Sequence, residues 1–148
     1  MEQEGVKCRQ KEVDSSGIVY TSCAETLYLS LNYHRGGSST THPKSIWEIS
    51  RPDECHVFCT AESESWADQN GDLWAVARDG EPHYGTRRER MAFFDAPVNQ
   101  SDPWHGFPVG GRRGLPLRRT PPDAVVQRWW ESKRISYTTY NRILTRRM

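Results

Sequence analysis

Alternation of apolar and polar side chains marks the first strands of the chain. Across residues 26–33, Leu27, Leu29 and Leu31 alternate with Tyr28 and Ser30. A period of two places successive side chains on opposite faces of a β-strand, so this pattern predicts a half-buried strand. Shorter patterns predict strands at residues 45–50, 54–60, 73–77 and 90–94, with a tight hairpin at the Asp79-Gly80 dipeptide.

The apolar period changes near the C-terminus. A spacing of three and four residues predicts a helix over about residues 121–133, with an inner face of Val125, Val126, Trp129 and Trp130. Ser136 is placed to cap a second helix with Tyr140, Ile143 and Leu144 inward. Residues 1–16 show no apolar period, and residues 95–122 contain six prolines and four glycines. We therefore predict a loosely ordered start and a long irregular connection.

Together these elements predict an α+β fold. We expect a mostly antiparallel sheet of about five or six strands from residues 17–94. The two C-terminal helices would pack on one face of that sheet, with both tryptophans inward. The 148 residues suit a single domain of four parts. These are a loose start (1–16), a β-rich body (17–94), the Pro/Gly-rich connection (95–122) and a helical segment (123–148).

Charge divides the chain at that connection. Residues 1–110 hold 10 Lys and Arg against 17 Asp and Glu, a net charge of −7, whereas residues 111–148 hold 10 basic and 2 acidic residues, a net charge of +8. Such asymmetry is typical of contact with a polyanion. An alternative with equal support is that the basic segment docks on the acidic body of the same chain.

Other features of the sequence bear on where the protein works. The chain has no apolar run of the roughly 20 residues that span a bilayer, and its first residues lack the pattern of a signal peptide. We therefore expect a cytoplasmic protein without a membrane partner. In a reducing compartment the four cysteines, Cys8, Cys23, Cys55 and Cys59, would be thiols.

Four cysteines and five histidines raise the hypothesis of a zinc site around Cys55 and Cys59. Outside ligands would come from Cys8, Cys23, His34 or His42. In a strand, residues four apart lie about 13 Å from each other, too far to share one metal ion. Only a helix or a tight turn would bring Cys55 and Cys59 together, so the predicted strand favours cysteines packed in a core and no metal.

Two histidines are candidates for acid/base chemistry. His105 lies in a Pro- and Trp-rich stretch, and His83 precedes a cluster of arginines. Imidazole titrates near neutral pH, which suits a general acid or base. We predict supporting roles for Asp102, Trp104, Arg87 and Arg90, with the arginines of residues 87–90 on phosphate. The alternative is structural: an ordered corner at His105 and a solvated charged turn after His83.

The basic segment is the best-defined candidate for binding. Arginines in a glycine-rich loop and on amphipathic helices contact phosphates and release counterions. The pair of helices resembles a helix-turn-helix, with residues 136–147 as the reading helix. The predicted phosphate-binding residues are Arg112, Arg113, Arg118, Arg119, Arg142 and Arg146.

Three functions are compatible with these features. The first is a binding module for nucleic acid or another polyanion. The second is a small metal-independent enzyme that acts on RNA or a nucleotide through His105 and His83. The third is a protein-interaction module, such as an inhibitor, immunity or adaptor protein, with an acidic or basic partner. The sequence lacks the GxGxxG, GxxxxGK[ST], HExxH and GxSxG motifs, so we expect no cofactor and favour binding over catalysis.

Overall fold

A computed structural model describes residues 7–36, 45–110 and 120–145. In these residues the fold is α+β, with six strands in two antiparallel three-stranded sheets and three α-helices. The first sheet contains β1 (Arg9–Asp14), β2 (Gly17–Thr21) and β3 (Leu27–Leu31). The second contains β4 (Leu73–Val76), β5 (Met91–Asp95) and β6 (His105–Val109). The helices are α1 (Arg51–Ser63), α2 (Asp123–Glu131) and α3 (Tyr137–Leu144), and a short 3-10 helix spans Asn32–His34.

The predicted α+β class and number of strands are confirmed, but the strands form two sheets instead of one. Each sheet is a meander, in the orders β1-β2-β3 and β4-β5-β6. The sheets meet where Tyr28 of β3 bridges Trp104 in parallel. The Leu29 N–H donates to the Trp104 carbonyl at 2.7 Å, and the Trp104 N–H donates to the Leu27 carbonyl at 2.9 Å.

Helix α1 replaces the strand predicted at residues 54–60. The hydroxyl of Ser50 accepts a hydrogen bond from the Asp53 N–H at 3.2 Å, Pro52 lies in the first turn, and Asp53 and Glu54 complement the helix dipole. Cys55, Phe58 and Cys59 are buried on one face. Cys55 and Cys59 therefore lie four residues apart on one face of a helix, and the strand predicted at residues 54–60 was wrong.

The core lies between α1, the second sheet and the C-terminal helices. All four residues of β4 are buried, and so are the first four of β5. Trp129 of α2 is fully buried, with its ring 5.9 Å from that of Trp66. Ile135 and Ile143 complete this contact. Trp130 is 37% exposed, so only Trp129 of the predicted pair packs inward.

Four further local predictions need correction. The strand predicted at residues 45–50 is reduced to a single bridge between Trp47 and Gly85. Residues 9–14, expected to be loosely ordered, form β1, which pairs with β2. The Pro/Gly-rich connection contains β6, which tolerates Pro108 because it pairs with β5 as the last strand of its sheet. The Asp79-Gly80 turn has positive φ at Gly80 and joins β4 to β5 through a 14-residue connection instead of a two-residue hairpin.

Both C-terminal helices are confirmed. Helix α2 begins after Pro122, and helix α3 is capped by Ser136, whose hydroxyl accepts from the Thr139 N–H at 3.2 Å. Within the described ranges, none of the helices is long and apolar enough to cross a membrane.

Candidate functional site

An open groove of about 470 Å³ lies between the β4–β5 connection and the C-terminal helices. Its lining includes three cationic side chains, from Arg78, Lys133 and Arg134. The other lining residues are Asp79, Trp130, Ile135 and Ser136. The groove is therefore a basic surface with one aromatic wall.

Trp130 forms that wall, and two further aromatic rings continue from it along α3. The Trp130 ring stacks on Tyr140 with centroids 4.8 Å apart and planes at 23°. Tyr137 lies 5.5 Å from Trp130 and 5.8 Å from Tyr140. Tyr137 is 60% exposed. This cluster, which we call the aromatic trio, is exposed mainly at Tyr137 and in part at Trp130, whereas Tyr140 is half-buried beneath the stack.

The end of α2 carries two of these cationic residues, Lys133 and Arg134, in a defined backbone geometry. The Lys133 N–H donates to the Trp130 carbonyl and the Arg134 N–H to the Trp129 carbonyl, both at 2.9 Å, which is a Schellman motif. This motif requires a left-handed residue, and Lys133 has φ of 65°. The Arg134 Nε donates to the Val76 carbonyl at 2.9 Å, and its guanidinium lies 5.3 Å from the Trp66 ring centroid.

Asp79 is the acidic residue of the groove, and its carboxylate is already engaged. It accepts hydrogen bonds from the Ser136 N–H at 2.8 Å and the Thr139 hydroxyl at 2.7 Å, at the N-terminus of α3. Burial disfavours its charge, but these bonds outweigh that effect and lower the pKa of Asp79. The Asp79 carboxylate therefore reduces the positive charge of the groove, but its hydrogen-bond partners already lie within the protein.

Tyr84 is buried behind Arg134. Burial raises the pKa of Tyr84 to about 12, although a hydrogen bond with Arg134 opposes that shift. The neutral Tyr84 hydroxyl is therefore a hydrogen-bond partner of the charged Arg134 side chain.

The described part of the basic segment docks on the body through apolar contacts, through backbone carbonyls and through the Asp79 carboxylate. Arg128 donates to the Ser65 carbonyl at 2.7 Å, as Arg134 does to that of Val76. Arg142 of α3 is exposed. The other predicted phosphate-binding residues, Arg112, Arg113, Arg118, Arg119 and Arg146, lie outside the described residues.

The two candidate catalytic histidines lie on different elements with different partners. His83 Nε2 lies 2.6 Å from Glu48 Oε1 at the surface. His105 begins β6 opposite Asp95, and its Nδ1 is buried without a hydrogen-bond partner among the described residues. None of the described hydrogen bonds or ion pairs links His83 to His105.

The predicted supporting residues have local structural contacts. Asp102 closes a turn, with its N–H donating to the Asn99 carbonyl at 3.0 Å. Trp104 packs on Phe58, and its backbone joins the two sheets. Arg90 donates to the carbonyls of Arg78 and Glu81, and so holds the turn beside the groove. The Arg87 N–H donates to Glu89 at 2.9 Å.

A buried polar cluster around Glu54 was not predicted. The Glu54 carboxylate is fully buried and accepts from the Tyr28 hydroxyl at 2.5 Å, the Ser30 hydroxyl at 2.7 Å and the Arg35 guanidinium at 2.5 Å. Burial raises the pKa of Glu54 and, with the neighbouring carboxylate, raises that of Tyr28 well above its usual value. The cluster fastens β3 to α1. Its sequence signal was the helix start at Ser50, with Pro52 and Asp53 following.

The cysteines are paired in the structure, contrary to the expectation of thiols. Cys8 is joined to Cys55, and Cys23 to Cys59. Both bonds attach the first sheet to α1.

Comparison with known proteins gives no match to a family model, a curated protein or a solved structure. The functional argument therefore rests on the geometry of this chain.

Proposed function

We propose that the protein binds nucleic acid through its basic C-terminal segment, with the groove and the aromatic trio as the contact surface. The observation that carries this proposal is the partly exposed aromatic trio, which joins the groove through Trp130 beside Arg78, Lys133 and Arg134. Proteins that bind single strands combine a cationic groove for the backbone with aromatic rings on which bases stack. A single-stranded oligonucleotide is therefore the ligand class that the surface fits best.

The backbone at Lys133 places its side chain at the groove. A left-handed conformation costs a residue with a side chain roughly 1–2 kcal/mol, and glycine adopts it freely. Lysine occupies this position at φ of 65°, where its side chain lines the groove. Ser65 has the same conformation, with φ of 57°, in the same helix-ending motif after α1, so the motif explains the conformation and the charge of Lys133 is what bears on binding.

Lys133→Gly tests the proposal because it should have opposite effects on stability and on binding. We expect it to raise the free energy of unfolding by about 1 kcal/mol, since the strain is relieved. We also expect it to weaken the binding of a fluorescent oligothymidine and to reduce the slope of log affinity against log salt by about 1, since one phosphate contact is lost.

Arg88→Gly is a matched control. Arg88 is also basic, exposed and left-handed, with φ of 67°, but it lies in the loop before β5. The substitution should give a similar gain in stability and leave oligonucleotide affinity unchanged. Weaker binding in Arg88→Gly but not in Lys133→Gly would instead favour the loop of residues 87–90, as the enzyme alternative expects. Wild-type affinity that does not fall between low and moderate salt would overturn the proposal.

A further inference from the structure

The four cysteines come from three separate parts of the chain and converge at one point. Cys8 immediately precedes β1, Cys23 lies in the turn between β2 and β3, and Cys55 and Cys59 lie one turn apart on α1. The Cα atoms of the two bonded pairs are 6.3 and 5.8 Å apart. The pairs are also in mutual contact, because Sγ of Cys8 lies 3.3 Å from Sγ of Cys59.

This clustering matches the requirements of a tetrahedral metal site. The sulfur atoms of Cys8, Cys23 and Cys59 all lie within 4.8 Å of one another, and Cys55 is bonded to Cys8. Four thiolates at about 2.3 Å from zinc lie about 3.8 Å from each other. Residues four apart on a helix, as Cys55 and Cys59 are, project two ligands from one face, the spacing that zinc-binding helices use. Helix α1 thus removes the geometric objection that a strand had raised.

We propose that, in the reduced chain, Cys8, Cys23, Cys55 and Cys59 together bind one Zn²⁺ ion. Thiolates are soft ligands that select zinc over magnesium or calcium. A site with four protein ligands is closed, so the ion would have a structural role. It would join the first sheet to α1 at the place where the disulfides join them in the oxidised chain.

Hydrogen bonds around the cluster position its ligands in addition to the bonds between the sulfur atoms. Glu62, three residues after Cys59, accepts from the hydroxyls of Ser22 at 3.1 Å and Thr26 at 2.5 Å. These bonds hold the turn that carries Cys23 against α1. The Cys23 N–H also donates to Cys59 Sγ at 3.0 Å. Such outer contacts orient metal ligands and lower the entropic cost of binding.

A sulfur atom in a disulfide bond cannot also bind zinc as a thiolate, so both disulfides must be reduced before the ion binds. Two equivalents of a dithiol reductant supply four electrons and four protons, which convert the two disulfides into four thiols while the reductant becomes two cyclic disulfides. Binding of Zn²⁺ then releases the four protons, because the ligands are thiolates. Zinc affinity should consequently fall as the pH falls.

Cobalt titration of the full-length chain tests this site directly. The chain is reduced with a dithiol, desalted without oxygen and titrated with Co²⁺. We expect one Co²⁺ per chain with the intense visible absorption of tetrahedral thiolate coordination, and its complete displacement by one equivalent of Zn²⁺. A weak octahedral spectrum, or Co²⁺ that Zn²⁺ does not displace, would overturn the proposal.

Variants identify the ligands. Loss of a contact to a metal ligand typically weakens metal binding about 10–100-fold. Cys59→Ser and Cys23→Ser each remove a ligand itself, so they should weaken zinc binding by more than that. His56→Gln is the control, since His56 lies between the two helical cysteines and should leave the titration unchanged. If His56→Gln abolishes the spectrum, the four-cysteine assignment is wrong. The wild-type titration decides the question even if a cysteine variant fails to fold.

Discussion

The two sheets are attached to the same helix by different kinds of contact. The second sheet is apolar: β4 and most of β5 are buried, and they pack against α1 and Trp129. In the first sheet, β1 is exposed throughout, and on β3 the buried face carries Tyr28 and Ser30. That sheet contacts α1 through the rings of Tyr28 and Phe58, and it adds polar and sulfur contacts through Glu54, Glu62 and the cysteines.

This difference indicates that the two halves respond to different conditions. Apolar burial is non-directional and insensitive to redox state. Carboxylate and sulfur contacts depend on exact partners, and they change with reduction, metal and pH. The first sheet should therefore be the half whose order depends on the medium.

Removal of Glu54 should have the largest effect of the single substitutions. Glu54→Ala leaves the Arg35 guanidinium, whose side chain is 15% exposed, without the fully buried carboxylate that pairs with it, and loss of one partner of a buried pair costs about 3–5 kcal/mol. Urea unfolding measures the change. Glu48→Ala, at a carboxylate that is 55% exposed, is the control and should change stability by less than about 1 kcal/mol. Equal effects of the two variants would contradict the structural role of the cluster.

Reduction of the two disulfides should affect the first sheet more than the second. The disulfides close sequence separations of 47 and 36 residues, and loss of such bonds typically costs about 2–5 kcal/mol. With a dithiol and a chelator present, hydrogen exchange should accelerate in β2 and β3 more than in β4 and β5. Uniform acceleration of both sheets would show that they unfold as one unit.

A matched pair of valines tests the apolar contrast. Val76 in β4 is fully buried, whereas Val13 in β1 is 67% exposed. Val76→Thr buries a hydroxyl among apolar groups and should cost about 1–3 kcal/mol, whereas Val13→Thr should stay within about 0.5 kcal/mol. Thermal unfolding of both variants measures the difference. A substantial loss in Val13→Thr would mean that β1 is covered by another part of the chain.

Asp79 should give the smallest effect. Its folded pKa lies below the usual 3.8, so its stabilising contribution is present above about pH 4 and is lost as the pH falls through the folded pKa. Because the residue is exposed, Asp79→Asn should cost less than about 1 kcal/mol. The difference between wild type and variant, measured by urea unfolding, should shrink towards pH 3. A constant difference would assign the effect to packing instead of charge.

The sequence predicted the elements whose signals are local. Ser136 and the apolar spacing of Val125, Val126 and Trp129 were sufficient for the C-terminal helices, and strict alternation was sufficient for β3. Helix α1 was missed because Cys55, Val57 and Cys59 also fit a period of two, and the capping signal at Ser50 was overlooked. Once α1 was read as a strand, the convergence of the cysteines was not predictable.

None of the residues predicted for phosphate binding in the basic segment is among the described lining of the groove, because Arg142 lies elsewhere on α3 and the others lie outside the described residues. Arg78 reaches the groove from a connection about 55 residues before Lys133 in the sequence. Only the packed fold brings Arg78 to Lys133 and Arg134. Trp130 was expected to pack inward beside Trp129, yet the turn at Lys133 and the position of α3 place it against Tyr137 and Tyr140.

The parallel bridge between Tyr28 and Trp104 also has a consequence during synthesis. Its partners are separated by about 75 residues, which a ribosome adds in about 4–15 s at typical rates. Throughout that time the outer edge of β3 has no strand to pair with, and an unpaired edge is a template for association with other chains. The interval before residue 104 emerges is therefore the period in which the nascent chain most needs protection by a chaperone.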